Sequence, residues 1–405
     1  MKALRIPTGR SLAPFGDPVS ASRVLERPLA EAQEAALAAA GLTLVTEAPR
    51  GEPFLVFTDR TWFSAALVRA LVRAGPGRLR VEDAAFSELY EPLQDLPAPG
   101  LYEIGVVGAG QSWSLSAFPD LPPITVDLQL KAEEMKGVHP ALAFASKPIR
   151  VSEAMVHQID HWTHLIRVNL LAMAVRGLEA KRAWDDAPVW KKALLALGFL
   201  LKVRPTSRAD VLAGLNIVGK NVSIHPTATV ELSTLEDGVE VGPCAVVRGS
   251  HLGRGARVEE HTSVNVSVLG AGARVGRFGM LNMSVVYPGA HISHADGFQA
   301  TLVGQDAFMG WGIAVLDLSF GRTVRVEHEG AWADSGQHFL GAAVGHRARI
   351  TYGAILNYGV TIPNDAFLIG PQQAVLKRWG DAPTGAPMLS EGGVPVPAKP
   401  PRTAR

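Results

Sequence analysis

Aliphatic residues recur in this chain every seventeen positions, at Val218, Leu235, Leu252, Leu269, Val286 and Val303. A second series lies six residues on, at Ile224, Val241, Val258, Val275, Ile292 and Met309, and a third six beyond that, at Val230, Val247, Val264, Leu281, Phe298 and Val315. A helix needs apolar positions every three to four residues and a free strand every second one, so steps of six, six and five fit neither. They fit a coil with three short flat faces, each turning one aliphatic inward, in which no turn is stable until the next stacks on it. Gly219-Lys220-Asn221, Glu236-Asp237-Gly238, Gly253-Arg254-Gly255 and Gly270-Ala271-Gly272 supply residues that accept tight or positive-φ corners. After an interruption at about Phe320 to Gly341 the spacing resumes at Val344, Ile350, Leu356, Ile362 and Leu368. The pattern predicts nearly six regular coils and roughly two more.

The repeat resembles the hexapeptide-repeat family, which implies a left-handed parallel β-helix. The corners Asn265-Val-Ser267-Val-Leu-Gly270 and Asn282-Met-Ser284-Val-Val resemble the carboxy-terminal helices of sugar-nucleotide pyrophosphorylases, and stand-alone acyltransferases more often keep uniform six-residue steps. Val324-Arg-Val-Glu327, Gly330 and Asp334-Ser-Gly336-Gln-His-Phe-Leu-Gly341 resemble the loop and re-entry of bifunctional nucleotidyltransferase/acetyltransferase proteins.

The 405 residues leave room for two or three domains. A net charge of +1, from 39 basic and 38 acidic residues, gives no reason to expect a nucleic-acid partner. Cys244 is the only cysteine, so neither an intrachain disulfide nor a cysteine-based metal cluster can form. The amino terminus lacks an apolar core of signal-peptide length, and the most apolar helical stretch, Ala193 to Val203, is too short to span a bilayer. A soluble cytoplasmic protein without a membrane partner is expected.

Residues 1–155 read as a Rossmann-like α/β domain. Strands are predicted at Ala3–Ile6, Leu42–Val45 and Pro53–Phe57, near Leu101, Pro123 and Lys147, and helices at Arg27–Gly41 and Ser64–Arg73. Their alternation suggests parallel βαβ units. The start Thr8-Gly-Arg10-Ser-Leu12-Ala-Pro14-Phe-Gly-Asp17, then Arg27-Pro28-Leu29 opening a helix, resembles the nucleotide-binding loop of sugar nucleotidyltransferases. The resemblance implies that Gly9 and Arg10 face the phosphates of a nucleoside triphosphate, and that Asp59, ending the strand Phe54–Thr58, holds Mg²⁺. Two positions depart from the family: Val19 stands where its lysine should be, and Thr58 replaces the glycine before the aspartate. Asp59 is also well placed to cap the turn after a buried strand.

Residues 156–212 are expected to form a helical linker. Gln158 to Leu170 has helical spacing and resembles the Trp-and-Asn helix that closes the nucleotidyltransferase catalytic domain, which implies that Asp160 lies near the sugar phosphate and the metal. His161 and His164, three apart on that helix, either share an ion or sit at a domain junction. The β-helix is expected over 213–378 and a disordered tail over 379–405.

Three functions follow. The first is a sugar-1-phosphate nucleotidyltransferase joining a nucleoside triphosphate to a sugar phosphate around Mg²⁺, with Arg10 neutralising charge. The second is an acyltransferase that uses acyl-CoA to modify a sugar or sugar nucleotide, its base a β-helix histidine, best placed at His338 or His346 beside the interruption. The third is a non-catalytic regulatory or scaffold subunit. A homo-oligomer through the β-helix is implied by the resemblance.

Overall fold

The computed structural model describes residues 1–111, 118, 120–133, 148–203, 207–371, 375, 377–379, 382 and 388–397. Expectations resting on Lys147 and on Pro400–Arg405 lie outside them.

Burial at a seventeen-residue period builds three parallel sheets. Leu235 pairs with Leu252, Val241 with Val258 and Val247 with Val264, so each strand lies one coil below its successor. The sheets hold eight, eight and seven strands, an arrangement consistent with a left-handed parallel β-helix. Inward anchors such as Leu252, Val264, Val275 and Ile350 are completely buried, each contributing about 1.5–3 kcal/mol. The first coil keeps Val218 and Ile224 exposed, and a short helix, Arg208–Gly214, packs against it, with Leu232 N–H donating to Leu212 O. The coil continues through Phe308–Trp311 and Ala314–Val315, and Val303 then pairs directly with Val344, so the residues between Val315 and Ala343 are extruded from the coil. That segment carries an antiparallel hairpin, Arg325–His328 with Ala331–Asp334.

One corner explains the repeated serines. Leu232, Gly249, Val266, Met283 and Ala300 turn there at φ between 45° and 53°, and each is followed by a hydroxyl residue. Ser250 N–H donates to Ser233 Oγ, Ser267 N–H to Ser250 Oγ, Ser284 N–H to Ser267 Oγ and Thr301 N–H to Ser284 Oγ, at 3.1–3.2 Å. Each hydroxyl donates in turn to the carbonyl two residues back, as Ser267 does to Asn265 O at 2.7 Å. The ladder satisfies buried amides that the turned corner takes out of the strand pattern. Ser267→Ala leaves the Ser284 amide without an acceptor and should cost about 1–3 kcal/mol. Ser267→Thr, which copies Thr301, should melt close to wild type; equal losses in both variants would argue against the ladder.

Asp296 breaks the apolar pattern. It is 2% exposed; Oδ1 accepts from Ile313 N–H at 2.7 Å, while Oδ2 is buried without a partner. Burial pushes this carboxyl up to about 7, against two backbone amides that favour the ion. The folded form therefore disfavours the charge, and stability falls as pH rises from about 4 to about 7. Asp296→Asn, a neutral isostere, should match wild type at pH 4 and exceed it by on the order of 2–4 kcal/mol at pH 8. Thermal melts across pH check this: a constant gap between the two proteins would remove titration as the cause.

The amino-terminal part is a six-stranded sheet ordered Thr43–Val45, Lys2–Ile6, Phe54–Thr58, Leu101–Val107, Gly77–Arg80, Pro123–Thr125. Helices α1 (Leu29–Ala39), α2 (Ala65–Ala74) and α3 (Ala84–Tyr90) connect its strands. Lys2–Ile6 runs parallel to both neighbours, but Leu101–Val107 is antiparallel to Phe54–Thr58 and Gly77–Arg80. The sheet is mixed rather than wholly parallel, because alternation of element types does not fix strand direction.

Helix α4 (Trp162–Asp185) is a single 24-residue rod packed against both parts. Its Asn169 accepts from Leu25 N–H at 2.8 Å and donates to Arg23 O at 2.9 Å. Helix α5 (Val189–Val203) follows. The expected disordered tail contains an antiparallel hairpin, Met388–Glu391 with Val394–Pro397, joined to the chain by Lys377 N–H donating to Gly393 O.

Candidate functional site

Three carboxylates, Asp95, Glu103 and Asp160, and two arginines, Arg10 and Arg60, meet at the carboxyl end of the Phe54–Thr58 strand. Gly9, at φ +67°, lets the chain turn after Thr8. Asp59 Oδ1 accepts from Thr8 N–H at 3.1 Å and from Thr8 Oγ1 at 2.7 Å. Arg10 Nη1 lies 3.5 Å from Asp160 Oδ1, and its Nη2 pairs with Asp95. Arg60, which sequence reasoning did not single out, is the centre of the cluster. It forks onto Glu103 at 2.8 and 2.9 Å and pairs with Asp160, whose side chain is fully buried. Burial alone would lower the Arg60 guanidinium, but the Glu103 hydrogen bond and the Asp160 charge outweigh it and hold it above its ordinary value.

Mg²⁺ does not fit Asp160 in this arrangement. Its Oδ1 faces Arg60 and Arg10, and its Oδ2 accepts from Asp95 N–H at 2.9 Å and Gln158 Nε2 at 3.2 Å. Mg²⁺ is usually held by one or two carboxylates with waters and substrate oxygens, and this carboxylate is already spent on cations. Among the described residues no group of three or more His, Cys, Asp or Glu is arranged to hold a metal ion. No reaction step is routed through a metal here.

The second half of the expected phosphate loop is engaged by the β-helix. Leu12 and Phe15 are buried; Phe15 O accepts from Asn364 Nδ2 at 2.6 Å, and the Phe15 ring sits 4.9 Å from that of His346. His346 Nε2 donates to Asp17 Oδ2 at 2.9 Å while Nδ1 accepts from Gln305 N–H at 2.8 Å. Both ring nitrogens are committed, so His346 joins the two parts rather than acting as a base.

His338 lies within the interruption itself. Its Nδ1 donates to Ser319 O at 3.2 Å, and Ser319 N–H donates back to His338 O at 3.0 Å, pinning the ring at the mouth of the extruded segment. That bond puts the proton on Nδ1 and the basic lone pair on Nε2. Nearby, Asp334 is fixed by Thr323 Oγ1 at 2.7 Å and Gly336 N–H at 2.8 Å. Burial would raise its carboxyl, but these bonds and the charges of Arg325 and His338 hold it below the usual range. Phe320 and Trp332 are exposed on the same segment.

His161 and His164 prove to be junction histidines. His161 pairs with Thr163 Oγ1 and Glu327 O, and His164 with the Asp160 amide and Pro92 O, so all four ring nitrogens are occupied. Burial, ahead of nearby charges, pushes His161 and the neighbouring His157 down to about 3 and keeps them neutral. Arg167, also buried, ties the segment to the α/β part by donating to Ser335 O at 2.7 Å and to Tyr90 O and Pro92 O at 3.3 Å. A cleft lined by Arg69, Arg73, Glu153, Glu179 and Arg182 contains none of the residues above.

The fold and these contacts define an α/β domain docked onto a hexapeptide-type parallel β-helix. No family model matches the chain, and no characterised protein matches it. Among solved structures, a hexapeptide transferase family protein from Anaplasma phagocytophilum is 16% identical, covering 38% of this chain and 78% of that one at a TM-score of 0.20. The Arabidopsis UDP-N-acetylglucosamine acyltransferase is 12% identical, covering 36% and 62% at a TM-score of 0.15. Scores this low leave the repeat's own register as the ground for the β-helix.

Proposed function

We propose that the β-helix part transfers an acyl group from a thioester such as acyl-CoA to a hydroxyl or amine of a sugar or sugar nucleotide, with His338 as general base. The observation that carries this is the Nδ1 bond to Ser319 O, which fixes the orientation and the tautomer of the ring beside the extruded segment. The acceptor O–H or N–H gives its proton to Nε2 as the heteroatom adds to the thioester carbonyl carbon. The C–S bond then breaks and the departing sulfur takes the proton from Nε2, releasing a thiol and restoring the neutral imidazole.

An exposed ridge of Phe278, Met280, Phe308, Trp311, Ile355 and Phe367 along the β-helix supports self-association through this part; light scattering tests it. The reading itself is tested by thiol release from acetyl-CoA with a panel of amino sugars, sugar phosphates and nucleotide sugars. No release with any acceptor or longer acyl donor sinks it.

A second reading, nucleotidyl transfer between a nucleoside triphosphate and a sugar 1-phosphate, is favoured by the meeting of Arg10 with Asp160 and of Thr8 with Asp59. Under it Gly9 and Arg10 bind phosphate, and Asp160 sets the arginines rather than a metal. Calorimetric titration with nucleotides, with and without Mg²⁺ and repeated with Arg10→Ala, decides it; heat that Arg10→Ala does not alter would discard it.

A further inference from the structure

The cluster around Arg60 has a buried half and an open half. The Asp160 side chain is fully buried and that of Arg60 is 5% exposed, whereas the side chains of Arg10 and Asp95 are 38% and 54% exposed. Asp95 Oδ2 nonetheless reaches both cations: it pairs with Arg10 Nη2 and lies 3.8 Å from Arg60 Nη1. A carboxylate oxygen between two guanidinium groups stands where a bound phosphate oxygen would stand, since the same forked donors grip both anions.

The backbone of Asp95 is fixed and its side chain is not. Its N–H donates to Asp160 Oδ2 at 2.9 Å, and its carbonyl accepts from Gln158 Nε2 at 2.8 Å and Arg60 Nη2 at 3.4 Å. The turn before it, with Leu93 at φ +70°, is tied down by Gln94, whose Nε2 donates to Tyr90 O at 2.6 Å and whose Oε1 accepts from Gln158 N–H at 3.1 Å. Rotation about the Asp95 χ1 bond alone therefore moves the carboxylate, with no backbone hydrogen bond broken. Opening an exposed ion pair costs little, while the buried contacts of Arg60 with Glu103 and Asp160 stay closed. With Asp95 in place the two arginines face three carboxylates, and that excess of negative charge repels another anion. Turned outward, Asp95 leaves two cations against two anions and frees Arg10 Nη2.

Building on the reading in which Arg10 meets phosphate, we propose that Asp95 is a plug for that site: its carboxylate holds the place of a phosphate oxygen and swings to solvent when a phosphorylated ligand takes Arg10. Removing it should strengthen phosphate binding, the opposite of what removing a ligand contact does.

The test is calorimetric titration of the full chain, without metal, using inorganic pyrophosphate and glucose 1-phosphate as separate probes of a polyphosphate and a sugar phosphate. Freeing Arg10 from an exposed pair is worth about five-fold, and loss of a neighbouring like charge adds to it, so Asp95→Asn should bind at least one probe about ten-fold more tightly than wild type. The probe that gains names the source of the phosphate. Adding Arg10→Ala to Asp95→Asn should return the affinity to the wild-type level or below, and Asp95→Asn should melt close to wild type because the side chain it changes is open. Wild-type binding that Arg10→Ala abolishes and Asp95→Asn leaves unchanged or weakens overturns the plug and keeps phosphate at Arg10. A gain in Asp95→Asn that persists without Arg10 reports general charge and overturns the plug too. No binding of either probe by wild type or Asp95→Asn overturns both the plug and the reading beneath it.

Discussion

Replacing His338 with alanine should lower the rate of thioester-dependent acyl transfer by about 10²- to 10⁴-fold, the range a positioned general base supplies. The loss should fall on kcat, with KM for the thioester little changed, because the imidazole acts on the acceptor proton and not on the donor. His346→Ala is the contrast. Its ring nitrogens are spent on Asp17 and the Gln305 amide and its ring packs on Phe15 and Tyr287, so its loss should lower stability and leave kcat close to wild type. A His338→Ala enzyme that keeps more than about a tenth of wild-type kcat would fall outside that range and move the base to an exposed coil histidine, with His261 and His294 the next to test.

The solenoid was legible because its signal is redundant: a seventeen-residue period repeated at three anchors per coil leaves little freedom for anything else. Even its interruption was placed, although the hairpin within it was not, since Arg325–His328 and Ala331–Asp334 alternate weakly and take their order from docking on the α/β part. The amino-terminal strands were found from short apolar runs, but Thr61–Phe63 and Gly77–Arg80 escaped notice, one only three residues long and the other half polar. Sequence reasoning named Arg10, Asp59 and Asp160 and missed Arg60. Asp59 announced itself by ending an apolar strand; Arg60, beside it, belongs to no local pattern that marks it. Only the fold shows that Arg60 points inward, to Glu103 on the neighbouring strand and to Asp160. Reading a pairing between residues 60, 103 and 160 needs the sheet order, which local pattern does not contain. The same limit misassigned the loop after Arg10: Phe15 and Asp17 suit a phosphate loop by sequence and face the β-helix in space.

Arg60→Met follows from that cluster and should be among the most damaging single changes in the α/β part. Arg60 is 4% exposed, and its fork neutralises Glu103 and Asp160 at once. Removing the cation while keeping both anions leaves buried charge uncompensated, a defect worth about 3–5 kcal/mol, where the loss of a surface ion pair costs less than about 1. For a domain of this size that corresponds to a fall in melting midpoint of roughly 10 °C. The penalty should shrink as pH falls, because an anion without its partner can be relieved by a proton, so the gap between variant and wild type should be wider at pH 8 than at pH 5. Combining Arg60→Met with Glu103→Gln should recover part of the loss, and Asp160→Asn added to both should recover more, since each step removes a stranded charge. Arg60→Lys should fall between, one ammonium being unable to reproduce the two-pronged contact with Glu103. If Arg60→Met lowers stability by less than about 1 kcal/mol at neutral pH, the cluster is hydrated and Asp160 can exchange its arginine for another cation. That result would return Asp160 to consideration as a metal ligand and strengthen the nucleotidyl reading; a large, pH-dependent loss would keep Asp160 as the anchor that aims Arg10 outward.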